Sequence, residues 1–315
     1  MKFLGKHAPL EAGSAEAAGL NVTARLEQDA RDLRELLAQW PPDKPKAAIF
    51  MLSRNSEARA AATSLLELET SFNANATARY PYIIVNDKPF SASFISFLSA
   101  SLRGRCYFGQ VAAGVFHGGE ESYHFMCRYF SGFFMNHPLL EGFDYYWRVE
   151  PGVHFFCHLP SDPFREMRAS GAVYGWNIVR AELMNTIPSL WNKYGGCHFW
   201  SNFEIGRLDF FRGEAYQALF RWLDSTGGFF LERWGDAPVH SLAVAALLDA
   251  QTAVRQFEGV GYRHDDAMHC PQDPAMRPHC DCMPSADYHI HRSTCYRRLA
   301  AAGLAWPLPS YTSVQ

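Results

Sequence analysis

The sequence predicts an α/β protein with a mainly parallel central sheet flanked by helices. Short continuous apolar runs, typical of buried parallel strands, alternate along the chain with segments of helical periodicity. Of the 315 residues, 48% are hydrophobic and 15% are aromatic, which excludes a disordered chain and suits one large folded domain. An alternation of strand and helix in this order is typical of a parallel sheet.

The first predicted element is an amphipathic helix within residues 11–40. Its apolar side carries Leu26, Leu33, Leu36 and Leu37. The proline-rich segment Pro41–Pro45 ends it, because proline cannot continue a helix and restricts the residue before it. We therefore predict an N-terminal helical stem or linker over residues 1–45 and a catalytic domain over residues 46–315.

Three strands and two helices are predicted at the start of the catalytic domain. The strands are Ala47–Leu52, Tyr80–Val85 and Cys106–Val111, and the helices are Glu57–Phe72 and Ser91–Leu102. Ligand sites in such sheets lie outside the carboxyl ends of the strands. The polar residues that follow the first two strands are therefore candidate ligand-binding residues: Arg54, Asn55, Asn86 and Asp87.

A fourth strand, Tyr145–Val149, is predicted from its aromatic and β-branched side chains. The dipeptide Glu150-Pro151 ends this strand, since proline removes a backbone donor. A carboxylate at a strand end is well placed to hold a divalent cation that neutralises a diphosphate. Glu150 is therefore a candidate metal ligand.

Two other carboxylates, Glu204 and Asp236, lie within the aromatic segments Cys197–Gly206 and Glu232–Ser241. An ionised group in such surroundings costs several kcal/mol unless something binds it. A functional role is the favoured interpretation, and a satisfied structural carboxylate is the alternative.

The charge balance excludes a general affinity for polyanions. The formal net charge is −3, so nucleic acid and anionic membrane are not expected partners, and an anionic ligand must meet a local site. No apolar run approaches the roughly 20 residues that cross a bilayer. Residues Met1–Ala17 lack the apolar segment of a signal peptide, so we expect no membrane span in this chain.

Eight cysteines and two glycosylation sequons are compatible with an oxidising, glycosylating compartment. The sequons are Asn21-Val22-Thr23 and Asn75-Ala76-Thr77. Disulfides are the favoured interpretation of the cysteines, but the spacing does not determine their pairing. A zinc site is the alternative for the cluster of His269, Cys270, His279, Cys280 and Cys282, although its spacing matches no common zinc module.

Several short motifs occur in a fixed order from about Ala47 to about Cys282. Besides the two segments around Glu204 and Asp236, they are Tyr123–Arg128, Ser131–Phe134, His137–Leu140, Tyr145–Pro151 and Gly261–His264. Together they resemble the fungal α-1,2-mannosyltransferases of the Kre2/Mnt1 type, glycosyltransferase family 15. A set of this size in this order is far more specific than any one short motif.

The resemblance implies a GT-A-like nucleotide-sugar transferase fold with a mixed, mainly parallel central sheet flanked by helices. It also implies a retaining enzyme that moves mannose from GDP-mannose to a terminal α-mannoside of a glycan or glycoprotein, forming an α-1,2 linkage. The family's members reside in the Golgi, which makes the Golgi lumen the expected location. A related retaining transferase with another nucleotide sugar or acceptor, a non-catalytic glycan-binding relative and a metal-dependent hydrolase are the alternatives.

The family's manganese ligands are a glutamate in a Glu-Pro-Asp motif and a histidine, which match Glu150 and His264 here. Imidazole together with carboxylate and phosphate oxygens suits Mn²⁺. The third position of the motif is Gly152 in this chain, so one anionic group of the family's site is missing.

The resemblance also implies catalytic roles for three residues. Glu204 matches the carboxylate placed beneath the anomeric carbon, Asp236 is expected to bind a sugar hydroxyl or orient the acceptor, and Tyr123 matches a tyrosine near the reacting sugar. Independently of the resemblance, Arg54 and Arg128 are candidates for binding the diphosphate, because a guanidinium pairs well with phosphate oxygens; surface or salt-bridge roles are the equally weighted alternative.

Overall fold

The structure is a computed structural model that describes residues 19–75, 79–111, 120–191, 196–292 and 294–305. Its strands are β1 (Ala47–Leu52), β2 (Tyr82–Asn86), β3 (Cys106–Gln110), β4 (Tyr145–Arg148), β5 (His154–Phe155), β6 (Tyr174–Trp176), β7 (Val179–Ala181), β8 (Cys197–Phe199), β9 (Glu204–Arg207), β10 (Val254–Gln256), β11 (Tyr262–His264) and β12 (Ala267–His269). Its α-helices are α1 (Val22–Ala38), α2 (Ala58–Leu68), α3 (Ala92–Ser101), α4 (Glu120–Gly132), α5 (Pro163–Ser170), α6 (Leu208–Arg212), α7 (Glu214–Ser225), α8 (Gly228–Leu231), α9 (Asp236–Leu247), α10 (Ala250–Ala253), α11 (Tyr288–Arg292) and α12 (Thr294–Ala301).

The central sheet has seven strands in the order β10-β6-β9-β4-β1-β2-β3. Strand β1 runs parallel to β2 and β4, β2 runs parallel to β3, and β6 runs parallel to β10. Strand β9 is antiparallel to both of its neighbours, β4 and β6. The prediction of a mixed, mainly parallel sheet is confirmed.

The predicted elements of the first half agree closely with the structure. Strand β1 has the predicted bounds, and α3 lies within the predicted helix. Helix α3 begins at Ala92 because the side chain of Ser91 caps it, accepting from the N–H of Phe94 at 3.1 Å. The single helix predicted over residues 57–72 is wrong in detail. It consists of a 3₁₀ turn (Asn55–Glu57), helix α2 and a π-helical turn (Glu69–Asn73).

Aromatic side chains cover both faces of the sheet. On one face Trp147 contacts Phe155, Phe164 and Phe203, and it is fully buried. The neighbouring Tyr146 points to the other face, because successive side chains alternate across a strand, and it packs against Phe134 from the segment after α4. Helices α4, α7 and α9 pack together on this second face. The layer they form becomes a wall of the site.

Helix α1 packs against the β3 edge of the sheet. Asp29 accepts from the backbone N–H of Phe108 at 3.1 Å and pairs with Arg25, and Leu33 is buried. The boundary predicted near residue 46 between a stem and a catalytic domain stays a prediction, since residues 1–18 lie outside the described part. Among the residues described, no helix combines the length and apolarity that crossing a membrane requires.

Three disulfides join the second half of the chain, and the preference for disulfides is confirmed. They are Cys157–Cys280, Cys197–Cys295 and Cys270–Cys282, while Cys106 and Cys127 are buried free thiols. The zinc alternative is wrong for the cysteine cluster, because Cys270, Cys280 and Cys282 all have disulfide partners.

Candidate active site

A cavity lies at the carboxyl ends of β1, β2 and β4, where α/β sheets place their ligands. Strand β1 leads into Ser53 and Arg54, β2 ends at Asn86, and β4 leads into Glu150. Helix α4 forms a wall with Met126 and Phe130, and β11 contributes His264. The complete lining is Leu52, Ser53, Arg54, Glu57, Asn86, Asp87, Met126, Phe130, Glu150, Pro151 and His264.

Arg54 is the cationic side chain of this lining. Its backbone N–H donates to Glu57 at 2.7 Å, which fixes the turn after β1. Its guanidinium donates to Ser122 on α4 at 2.8 Å. A hydroxyl is a weak partner for a guanidinium, so Arg54 is available for an anion that enters the cavity.

Glu150 and His264 come together from distant parts of the chain. Glu150 follows β4, and the next strand, β5, pairs with β11, which carries His264. Both side chains are partly exposed to the cavity, Glu150 by 24% and His264 by 17%. Carboxylate oxygen and imidazole nitrogen form a donor set suited to Mn²⁺.

The imidazole of His264 is held from two sides. Its ring lies against Trp200 with ring centroids 5.5 Å apart, and the guanidinium of Arg180 lies over the same indole at 4.6 Å. Its Nδ1 contacts the side-chain amide of the buried Asn202. Among the described residues Nε2 makes no hydrogen bond to the protein, so it is the ring nitrogen that is available to a ligand.

Arg148 connects this lining to the interior of the sheet. Its guanidinium donates to Glu150 through Nη2 and to Asp236 through Nη1, and it lies 3.6 Å from the ring centroid of Phe130. Burial opposes the charge on Arg148, but Asp236 and Glu150 outweigh it and raise its pKa. Arg148 therefore holds a fixed positive charge between two of the predicted functional carboxylates.

Asp236 begins helix α9 and is almost completely buried. Besides Arg148, it accepts from the hydroxyl of Ser201 at 2.6 Å. Burial alone would raise the pKa of Asp236, yet Arg148, the nearby His240 and the hydrogen bond from Ser201 hold it below its ordinary value. Asp236 is thus ionised, and it reaches the cavity lining through Arg148.

Glu204 lies deeper, at the start of β9, with no exposed surface. Its carboxylate accepts from the hydroxyls of Tyr146 and Tyr174, the latter at 2.7 Å, and lies 2.6 Å from Nδ1 of His240. The opposite nitrogen of His240 donates to the carbonyl of Phe130 at 3.0 Å. Burial lowers the pKa of His240, but Glu204 more than offsets this and raises it. The two side chains therefore form a buried hydrogen-bonded pair, in which Glu204 favours the charged form of His240.

Tyr123 and Arg128, both on α4, lie outside the lining. Tyr123 precedes Met126 by one helical turn, and the guanidinium of Arg233 covers its ring at 4.2 Å; burial raises the pKa of its hydroxyl. Arg128 is paired with Asp224 through two hydrogen bonds of 2.6 and 2.7 Å. That bidentate pair occupies the guanidinium predicted to bind a diphosphate.

The structure thus brings five of the predicted residues to one cavity: Arg54, Asn86, Asp87, Glu150 and His264. It places Glu204, Asp236, Tyr123 and Arg128 behind or beside that cavity, and their predicted roles stay predictions. Sequence reasoning assigned no role to Arg148, Asn202 or His240. All three lie within the motifs described above. For Arg148 the sequence does contain a signal, because alternation along β4 places it on the same sheet face as Tyr146.

A mixed α/β sheet with a cavity at the carboxyl ends of its strands, lined by Arg54, Glu150 and His264, defines a ligand-binding α/β protein. Comparison with known proteins identifies the family to which the chain belongs. The model of the family described as glycolipid 2-alpha-mannosyltransferase matches residues 12–117, 110–194 and 192–302. The chain belongs to this family, and it is therefore an α-1,2-mannosyltransferase by class.

Individual relatives agree with the family match. The chain is 36% identical over 307 residues to the O-glycoside alpha-1,2-mannosyltransferase omh1 of Schizosaccharomyces pombe, a match that covers 80% of this chain and 78% of that protein. It is 35% identical over 311 residues to the glycolipid 2-alpha-mannosyltransferase 2 of Candida albicans, covering 82% and 67% of the two chains.

Solved structures confirm the fold class. The Mn/GDP form of core-mannan synthase A (CmsA/Ktr4) from Aspergillus fumigatus has a TM-score of 0.71 and 36% identity, with 76% of this chain and 79% of that chain covered. The mannosyltransferase Ktr4p of Saccharomyces cerevisiae in complex with GDP has a TM-score of 0.71 and 27% identity, with 92% and 93% covered. The predictions of family, fold and enzyme class are confirmed.

Proposed function

We propose that this enzyme transfers mannose from GDP-mannose to a terminal α-mannoside of a glycan or glycoprotein, with retention of configuration and with Mn²⁺ as cofactor. The observation that carries the proposal is the meeting of Glu150 and His264 at a cavity that also holds Arg54. The names of the relatives, which include a Mn/GDP form and α-1,2-mannosyltransferases, support the choice of metal, donor and linkage.

The residues present fit a manganese ion. Glu150 uses one carboxylate oxygen for Arg148, and the other accepts no hydrogen bond from the described part of the chain. That oxygen and Nε2 of His264 are the donors we assign to the ion. When bound there, Mn²⁺ supplies positive charge for the diphosphate that leaves with GDP.

We assign the remaining contacts to the nucleotide from their place in the lining. Arg54 exchanges the hydroxyl of Ser122 for a diphosphate oxygen, a charge-assisted hydrogen bond that is roughly twice as strong as a neutral one. Asn86 and Asp87, at the end of β2, also line the cavity, and we assign them to the nucleoside. The diphosphate role goes to Arg54 rather than to Arg128, whose guanidinium is paired with Asp224.

Retention can follow either a carboxylate nucleophile or front-side attack through a short-lived ion pair. The burial of Glu204 supports front-side attack, because its carboxylate must release Tyr146, Tyr174 and His240 before it can reach a sugar. In this scheme Glu204 does not contact the sugar and acts through its buried partners. We assign Asp236 and Tyr123, which also lie outside the lining, to orienting the acceptor.

We also propose that the enzyme acts in the Golgi lumen. Three disulfides are in keeping with an oxidising compartment, and a glycan acceptor is available there.

The runner-up functions are transfer from another nucleotide sugar and glycan binding without catalysis.

A donor and metal screen tests the proposal. The protein is incubated with methyl α-mannoside and either GDP-mannose, GDP-fucose or UDP-glucose, in Mn²⁺ or EDTA. We expect a disaccharide from GDP-mannose with Mn²⁺ and no product in EDTA. Full transfer in EDTA, or transfer from UDP-glucose alone, would overturn the assignment, and GDP-mannose binding without turnover would favour the glycan-binding alternative.

Variants of the two assigned ligands test the metal site in a binding experiment. Glu150→Ala and His264→Ala are expected to lose Mn²⁺-dependent GDP binding, measured by calorimetry. His158→Ala is the matched control, because His158 is exposed and bonds the carbonyl of Thr70 outside the cavity. Equal GDP binding by all three variants would contradict the assigned ligands.

A further inference from the structure

The side chain of Asn202 is unusual because it is buried beside a proposed metal ligand. It is only 6% exposed, and it lies between Ser201, which bonds Asp236, and Phe203 in the core. Its amide nitrogen contacts Nδ1 of His264, while its oxygen Oδ1 is buried without a hydrogen-bond partner among the described residues. A buried polar atom without a partner is rare, and it calls for a physical explanation.

The contact decides which ring nitrogen of His264 can bind a cation. A neutral imidazole has one protonated nitrogen and one with a free lone pair, and a metal takes the lone pair. If the amide N–H of Asn202 donates to Nδ1, the proton of His264 resides on Nε2, which faces away from Asn202 and then cannot bind a metal. If Oδ1 accepts from a protonated Nδ1, the lone pair is on Nε2.

A half-turn of the amide exchanges its oxygen and nitrogen without moving any other heavy atom, because the two have nearly the same shape, and the imidazole proton of His264 then resides on Nδ1 instead of Nε2. The state that presents Oδ1 to Nδ1 gives the buried oxygen a donor and places the amide nitrogen where Oδ1 lies in the structure. It also follows the common pattern in which a metal-binding histidine donates its other N–H to a neighbouring oxygen.

We propose that Asn202 is a positioning residue for His264, and that its side-chain oxygen holds the tautomer whose Nε2 binds the divalent cation. Trp200 contributes by fixing the plane of the ring, whereas Asn202 fixes the proton. The inference rests on the proposed function, in which His264 is a metal ligand.

Two substitutions separate the hydrogen bond from packing. Asn202→Leu keeps a similar volume and removes the acceptor, while Asn202→Asp keeps an acceptor at both terminal atoms. Mn²⁺ binding is measured in the presence of GDP by the electron paramagnetic resonance signal of the free ion, which does not depend on turnover. We expect Asn202→Leu to weaken Mn²⁺ binding about 10- to 100-fold and Asn202→Asp to bind within a few-fold of the wild type.

Equal Mn²⁺ affinity in Asn202→Leu and the wild type would overturn the inference, as would an Asn202→Asp variant as weak as Asn202→Leu. His264→Ala is measured alongside. If His264→Ala binds Mn²⁺ normally, the metal site itself is wrong. If it loses Mn²⁺ while Asn202→Leu does not, the metal site stands and only the role of Asn202 fails.

A spectrum of the wild type covers the case in which Asn202→Leu does not fold. The protein is labelled with ¹⁵N-histidine and bound to GDP and ¹¹³Cd²⁺, a diamagnetic stand-in for Mn²⁺. We expect His264 to show a protonated Nδ1 and a coupling between cadmium and Nε2. A protonated Nε2 in this complex would overturn the inference.

Discussion

Replacing Glu204 by glutamine tests whether the buried Glu204–His240 pair is an ion pair. Both side chains are fully buried, and the carboxylate accepts from two tyrosine hydroxyls as well as from His240. Breaking a buried pair by removing one charge costs about 3–5 kcal/mol. Glutamine retains one acceptor oxygen, so we expect the free energy of unfolding to fall by about 3 kcal/mol, towards the lower end of that range.

The assay is urea unfolding of Glu204→Gln, His240→Gln and the double variant. We expect the single losses not to add, with a coupling free energy of about 1–3 kcal/mol. The pKa of His240 is raised in the folded state, so the contribution of the pair is fully present below about pH 6.5, the pKa of an unfolded histidine, and disappears as the pH rises through the raised value. A loss below about 0.5 kcal/mol at pH 6, or additive single losses, would refute the reasoning.

The same variant separates a structural from a catalytic role for Glu204. If the carboxylate acts only through its buried partners, kcat of the folded fraction changes by less than about tenfold, or 1.4 kcal/mol. A loss of about 100-fold or more in fully folded protein would instead place the carboxylate at the sugar during turnover.

Three further substitutions test other parts of the structure. Arg148→Lys keeps the charge but loses the planar guanidinium that holds Glu150, so the Mn²⁺ concentration for half-maximal GDP binding should rise about tenfold. An unchanged Mn²⁺ titration would contradict the role of Arg148 in holding Glu150. His269 is buried against Asp287, which raises the pKa of the imidazole. The contribution of this pair to stability is therefore present below about pH 6.5 and is lost as the pH rises. His269→Gln should flatten the dependence of the free energy of unfolding on pH in this range, and an unaltered dependence would contradict the pairing. Gly152 has φ +91°, and no atom lies within 4 Å of a Cβ added there. Gly152→Ala should therefore lower the free energy of unfolding by about 1 kcal/mol through backbone strain alone. An unchanged urea midpoint would show that the turn relaxes.

The strands of the first half could be predicted from sequence because they are buried on both faces. Strand β1 lies between two parallel neighbours and reads as an unbroken apolar run, which fixes its bounds. Strands β6 and β10 have only three residues each, too few to establish a period. Their place in the sheet depends on pairing with partners far away in the chain.

The site was predictable residue by residue but not as an arrangement. The strand-end position of Glu150 pointed to a metal, whereas His264 was found only through the resemblance, since the pairing of β5 with β11 that joins them leaves no local signal. The apolar surroundings of Glu204 indicated that an ionised carboxylate there needs partners, and the functional role favoured for it stays a prediction. They could not reveal that those partners are His240 and two tyrosines, which close it off from the cavity.

The most direct test of the proposed activity is the structure of the product. The protein is mixed with GDP-mannose, Mn²⁺ and methyl α-mannoside, and the reaction is followed by proton NMR. We expect an α-1,2-linked disaccharide to form together with an equal amount of GDP, and we expect neither product from His264→Ala. A β-linked disaccharide, or GDP formed with free mannose and no new glycoside, would contradict a retaining mannosyltransferase.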